Sequence, residues 1–283
     1  MPRIVKLEKP GWTIYYDCDA RSPACVVESF RGGLPRERIA RADVGEPFRA
    51  DVALPKECRM YWDEYEDYMA FGGSPGHNAP ASFHKSSLPD YRKTFLLSNV
   101  CPQEVVFNMG LWLLLETLCR EIVETFPRVD IYTGSIPGET KAFGQSTINV
   151  PSHMYKIVVA TRDDGVYAGA FVMPNTPATD EVPVDKFYRP IKSVAKLISN
   201  ASGFDVLRLL RPPYKSLARV HALNPTATPF LRERMASARE MGRLVYATTL
   251  EELERRFAEI ANPGTYHYKY FRLAKKRLVA KSS

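Results

Sequence analysis

His77 lies in the stretch GGSPGHNAPA (Gly72 to Ala81), between a Pro-Gly turn and an Ala-Pro pair, with almost no polar neighbour in the segment to partner an imidazole. A neutral imidazole accepts a proton near neutral pH, so a histidine placed there can serve as a general base, or it can be a structural or solvated loop residue. Downstream, TFLLSNVCPQEVVFN supplies Asn99, Gln103 and Asn108, and the following apolar helical pattern carries Glu116 and Arg120 four residues apart. Amide and carboxylate oxygens suit a hard cation such as Mg²⁺, which keeps several of its waters. Polar groups within an apolar helix are costly unless satisfied, so Asn108, Glu116 and Arg120 need assigned partners. An Asn cap with a Glu-to-Arg pair on a half-exposed face is the plainer account of the same spacing.

The elements that must position these residues are readable from periodicity. WTIYYDCDARSPACVVESF (residues 12–30) predicts two short strands about a polar turn. Residues 31–60 show no sustained period, and MYWDEYEDYMAFGG leads into the His77 segment, so the whole region reads as loop. From Cys101 a buried helix is expected, with Pro102 near its start and Leu111, Leu114, Leu115, Leu118 and Ile122 as its apolar stripe. Three β-type runs follow, VDIYTGSI, INVPSHMYKIVVAT and GVYAGAFVMPN, and then a helix around Ile191 to Ile198 that ends toward Gly203. This order is α+β, not a βαβ alternation. Past Arg211 to Tyr214 the character changes to charged amphipathic helices, PFLRERMASAREMGRLVY and TLEELERRFAEI, the second with a Thr249 to Glu252 capping box. The boundary is placed near residue 212, giving a unit 1–211 and a helical extension 212–283.

With 283 residues and 45% hydrophobic content the chain can bury a substantial core. Its most apolar segment, VVFNMGLWLLLETLCREIV, is interrupted by Asn108, Glu116 and Arg120, short of the roughly 18 apolar residues that a membrane span requires. A formal charge of +7 favours a polyanionic partner, although a solvated basic surface explains a modest excess equally well. The five cysteines are scattered, odd in number and never in a C-x-x-C pair, so neither a disulfide framework nor a zinc site is expected, and the compartment reads as reducing. MPRIVKLEKPGW shows no targeting peptide.

Several ordered motifs together resemble the DNA/RNA non-specific endonucleases, especially the endonuclease G branch. These are HNAPA after a glycine, TFLLSNVCPQ, the N-x-G-x-W-x-x-L-E pattern from Asn108 to Glu116 with Arg120 after it, and later NVPSHMYK and AFVMPN. The similarity is collinear from about Trp12 to about Leu210, from YYDCDARSPACVVE to PVDKFYRPIKSVAKLISNASG. It implies a ββα-metal nuclease fold with a central antiparallel sheet. On the matching positions it also implies that His77 is the general base and Asn108 the sole direct protein ligand of a Mg²⁺ ion, with Mn²⁺ as a substitute. Asn99, Gln103, Glu116 and Arg120 fall in the supporting shell.

The chain departs from the family pattern at one point of consequence. Where the family has Asp-Arg-Gly-His, it reads Ser74-Pro75-Gly76-His77, and Met69 stands where endonuclease G relatives carry another arginine. Proline supplies neither a guanidinium nor a backbone N–H to a phosphate. The resemblance therefore implies impaired catalysis, in a slow nuclease compensated by a basic residue such as Lys85 or Arg92. The alternative is a pseudonuclease, without metal, that serves as a nucleic-acid-binding or assembly subunit of a ribonucleoprotein. A homodimer and a mitochondrial location are further implications of the same resemblance. The last segment, YHYKYFRLAKKRLVAKSS, interleaves aromatics with Lys269, Arg272, Lys275, Lys276 and Arg277 and could follow a phosphate backbone while stacking bases, or could pack its aromatics under the domain with solvated lysines. Of the other histidines, His84 is expected at the surface and His153 is expected to pack.

Overall fold

The computed structural model describes residues 2–35, 39–44, 48–177, 184–210, 220–222, 240, 242–261 and 263–282. Strands β1 (Ile4–Lys9), β2 (Trp12–Asp17) and β3 (Ser22–Arg31) open the chain, followed by helix α1 (Trp62–Ala70), strand β4 (Gly73–His77), helix α2 (Leu88–Lys93) and strand β5 (Val100–Glu104). Next, α3 (Val105–Phe107) runs through a π turn (Asn108–Trp112) into α4 (Leu113–Thr125). Strands β6 (Arg128–Ile136), β7 (Thr140–Phe143), β8 (Ser146–Asn149), β9 (His153–Arg162), β10 (Gly165–Pro174) and β11 (Tyr188–Arg189) precede helix α5 (Ile191–Ser202). Strand β12 (Val220–Ala222) and helices α6 (Leu250–Ala258) and α7 (Thr265–Ser282) complete the described elements.

The main sheet runs β1-β2-β3-β6-β9-β10-β11, with β12 pairing β10 in parallel and every other neighbour antiparallel. The β1–β2 hairpin closes on the two residues Pro10 and Gly11, and Gly11 takes the positive φ of 82° that such a tight turn favours. Alternation along β9 divides the core. Met154, Val158 and Ala160 face the α4 layer with Leu111, Leu115 and Ile122, whereas Tyr155, Ile157 and Val159 face α5 with Val194 and Ile198. The α+β class and the central antiparallel sheet are thus as expected, and α5 ends at Gly203 in the left-handed conformation.

Four expectations change. The buried helix does not begin at Cys101, because Val100–Glu104 pairs with β4 as a strand. The helix starts only after Glu104, whose carboxylate accepts from the Val106 and Phe107 amides at 2.9 and 2.7 Å. The stretch before His77 is not loop either: Trp62–Ala70 is helical, with Tyr65, Tyr68 and Met69 buried, and His77 itself ends a strand. The cysteine reading is overturned by a Cys18–Cys58 disulfide, which ties the end of β2 to a residue forty positions on. The two residues are distant in sequence and meet only in the fold. Finally, His84 is buried, and its Nε2 lies 2.7 Å from Glu28 Oε1.

The boundary near 212 and most of PFLRERMASAREMGRLVY lie outside the described residues. The Thr249 cap is present, Thr249 Oγ1 accepting from the Glu252 amide at 3.1 Å, while Glu252 reaches back to the Thr248 amide instead of that of Thr249. The final segment is a helix, not a tail. Tyr270 is buried with Met69, Val105, Val106 and Val245, and Leu278 and Ala274 pack with Leu253 of α6.

Candidate active site

The site is built on the β4–β5 ribbon and on the helix that β5 feeds. Along β4 Ser74, Pro75 and His77 line an open cleft, while Gly76 turns to the opposite face, where the Gln103 side chain lies. A Cβ on Gly76 would come 2.1 Å from Gln103 Cδ, so the Gln103 side chain can lie over this position only because residue 76 is glycine. The helix brings Asn108 to the same cleft at the start of its π turn. Gly110 leaves helical geometry there (φ −106°, ψ −105°) and lets the chain accommodate an extra residue between Asn108 and Glu116.

The cleft, about 430 Å³, is lined by His77, Ser74, Pro75, Asn108, Glu116 and Lys269 among others. Its wall around the imidazole is aromatic, with the His77 ring centroid 5.0 Å from Phe95 and 5.5 Å from Phe48. Asn108 Nδ2 donates to Ser74 Oγ at 2.7 Å, which commits the nitrogen end of the amide and leaves its carbonyl oxygen as the acceptor. Burial pushes the Glu116 carboxyl up to about 7; Lys156 and Arg120 draw it down, while Glu28 adds to the rise.

The other expected site residues stand behind this surface. Asn99 is fully buried; its Oδ1 accepts from the Ala79 amide at 3.0 Å and its Nδ2 donates to the carbonyls of Ala79 and Thr94. It fixes the backbone just past His77. Gln103 is likewise buried, packed under Gly76 with its Nε2 3.8 Å from Cys101 Sγ. Arg120 does not form the anticipated pair with Glu116 among the described residues; its guanidinium sits 5.1 Å over the Phe83 ring. Lys85 donates to the Ile39 carbonyl at 2.9 Å and Arg92 to the Asp43 carbonyl at 3.3 Å, and neither lines the cleft.

The sequence reading missed two charged residues beneath the site. Lys156 is 1% exposed on the α4 side of β9, donates to Thr133 Oγ1 at 2.8 Å and lies 4.9 Å over the Trp112 ring. Glu28 is fully buried against His84. The available signal was a single charge at an inward position of each apolar strand, Lys156 in HMYKIVVAT and Glu28 in CVVESF. Such charges are retained only where partners exist.

Comparison with known proteins accords with this geometry. The DNA/RNA non-specific endonuclease profile matches residues 3–211. The chain belongs to the DNA/RNA non-specific endonucleases. Among curated relatives, a Danio rerio protein named "Nuclease EXOG, mitochondrial" is 38% identical over 176 residues, covering 57% of this chain and 50% of that protein. Its Homo sapiens counterpart is 34% identical over 165 residues, covering 53% and 44%. "Nuclease 1, mitochondrial" of Schizosaccharomyces pombe is 27% identical over 214 residues, covering 70% and 64%. The chain spans about half the length of the EXOG relatives it matches. A crystal structure of the EndoG/EndoGI complex contains a chain that superposes with a TM-score of 0.64 at 25% identity, covering 76% of this chain and 89% of that one. The fold is therefore the endonuclease G type of ββα-metal nuclease, and the family match ends at residue 211.

The altered motif has a structural counterpart. Met69, where the resemblance leads one to expect an arginine, is buried in the apolar cluster with Tyr270 of α7 and is here a packing contact for that helix. Among the described residues no group of three His, Cys, Asp or Glu side chains forms a metal cage.

Proposed function

We propose that the chain is a sugar-nonspecific DNA/RNA phosphodiesterase that works with a divalent cation, at a rate reduced by the altered motif. The observation that carries this reading is the convergence of His77, Asn108 and Glu116 on one cleft, with the Asn108 amide oriented by Ser74. The residues fit a hard cation held mainly through waters. The amide nitrogen is engaged, so the oxygen is the end available, and Glu116 supplies a carboxylate on the same wall. Asn108 would hold Mg²⁺ directly, and the bound ion would neutralise charge developing on the phosphate.

The remaining chemistry belongs to the protein. His77, held between Phe48 and Phe95, takes the proton of the water that attacks phosphorus. Asn99 keeps the backbone after His77 fixed, so that the ring stays aimed at the cleft. Ser74 cannot hold charge as an aspartate does, and Pro75 offers no donor. Loss of one preorganised donor lowers rates by about 10²- to 10³-fold in other enzymes.

That last point favours a second reading, a nuclease fold retained to bind nucleic acid, alone, as a homodimer or within a ribonucleoprotein. Relatives named as mitochondrial nucleases support a mitochondrial location. The two readings separate on cleavage of supercoiled plasmid and single-stranded RNA with Mg²⁺ or Mn²⁺. Metal-dependent cutting abolished by both His77→Ala and Asn108→Ala supports the nuclease. Wild-type protein that cuts no faster than the two variants, yet binds the same substrates, supports the second reading and overturns the first.

A further inference from the structure

Pro75 gives the cleft no charge, and among the described residues lining the cleft the one cationic side chain is Lys269. Lys269 belongs to α7, outside the segment that matches the family. Two contacts hold it in place. The Tyr270 hydroxyl donates to the Gly73 carbonyl at 3.1 Å, fastening α7 to the strand that carries His77. The Lys269 ammonium lies 5.1 Å from the Trp62 ring centroid, where a cation and an aromatic face attract. Around this anchorage Met69, Val105, Val106 and Val245 are buried with Tyr270. The helix thus docks against Met69 and brings a cation to the cleft. The other cations near the site are turned elsewhere: Lys156 is buried beneath it on Thr133, and Arg120 lies over Phe83.

We propose that Lys269 is the phosphate-contacting cation of this cleft and replaces, from the C-terminal helix, the charge that Pro75 does not provide. The assignment builds on the nucleic-acid reading above, but its first test does not require catalysis. A lysine contributes a mobile point charge where an arginine would grip two oxygens, so it restores electrostatic hold on a phosphate without the bidentate geometry.

The test is binding of a short fluorescein-labelled single-stranded DNA in EDTA, followed by anisotropy across a salt series, for wild type, Lys269→Met, Lys269→Arg and Lys196→Met. Lys196 is exposed on α5, across the sheet, and controls for net charge. Lys269→Met should weaken binding about tenfold at low salt and lower the salt slope by about 0.7, the value for one phosphate contact on a single strand, with Lys269→Arg close to wild type. Pro75→Arg in the Lys269→Met background should restore affinity. A slope for Lys269→Met no different from that of Lys196→Met, with both proteins folded by circular dichroism, overturns the proposal. Wild type that binds but fails to cut sinks the nuclease reading while leaving this binding result to decide on Lys269. If wild type cuts, Lys269→Met should slow the single-turnover step about 10²-fold, and an unchanged rate counts against the assignment.

Discussion

Asn108 Nδ2 donates to Ser74 Oγ at 2.7 Å, so Ser74, which stands where the resemblance leads one to expect an aspartate, orients the amide proposed to meet the metal. A serine in this position provides orientation without charge. Ser74→Ala should therefore weaken Mn²⁺ binding by about tenfold, the effect typical of losing an orienting partner. Isothermal titration reads this directly, and affinity equal to wild type would remove Ser74 from the site. Ser74→Asp should tighten Mn²⁺ binding, since a carboxylate also draws the cation.

Glu116 predicts a specific pH dependence of stability. Its carboxyl is raised by burial from 4.5 in the unfolded reference to about 7 in the folded chain. Below about pH 4.5 it is protonated in both states. Between 4.5 and 7 only the unfolded chain ionises, so stability falls as pH rises and levels off above 7. Glu116→Gln should abolish this fall and stabilise the protein at pH 8 by up to about 3 kcal/mol, with little effect at pH 4. Urea midpoints of both proteins in EDTA test it. Parallel pH profiles would mean that Glu116 is solvated.

Removing α7 should not behave as loss of a flexible tail. Truncation before Pro263 uncovers Met69, Val105, Val106 and Val245 and deletes the Tyr270 hydrogen bond to Gly73. Burial of several large apolar side chains is worth several kcal/mol, so the truncated chain should unfold at distinctly lower urea and bind a hydrophobic dye. An unshifted midpoint would show that the extension is a separate unit.

The Cys18–Cys58 bond closes a loop of forty residues and leaves Cys25, Cys101 and Cys119 as buried thiols. Alkylation of the denatured, unreduced protein followed by mass spectrometry should label three cysteines, and five labels would exclude the bond. Reduction should lower stability by about 4 kcal/mol, as expected for a loop of this length.

Much of the framework was legible because periodicity is a local property. The β-type runs VDIYTGSI and GVYAGAFVMPN, bounded by turn residues, marked β6 and β10, and the Leu111, Leu114, Leu115 stripe marked the buried helix. The motif residues His77 and Asn108 were legible by type and order, and the fold brings both to the cleft. The start of that helix was misread because Cys101 to Glu104 has no periodicity of its own and Pro102 suits the first turn of a helix, and only pairing with β4 makes the segment a strand.

What the sequence determined by itself is therefore the α+β class, the family, and the identity of the residues offered to the cleft, since each follows from short-range pattern and residue chemistry. Tertiary structure alone decided which of them share a surface. It set Asn99 and Gln103 behind the strand, sank Lys156 and Glu28 under the site, joined Cys18 to Cys58, and delivered Lys269 from a helix almost two hundred residues beyond His77. These relations depend on long-range closure of the chain around a common core, and no spacing along the sequence encodes a distance across it.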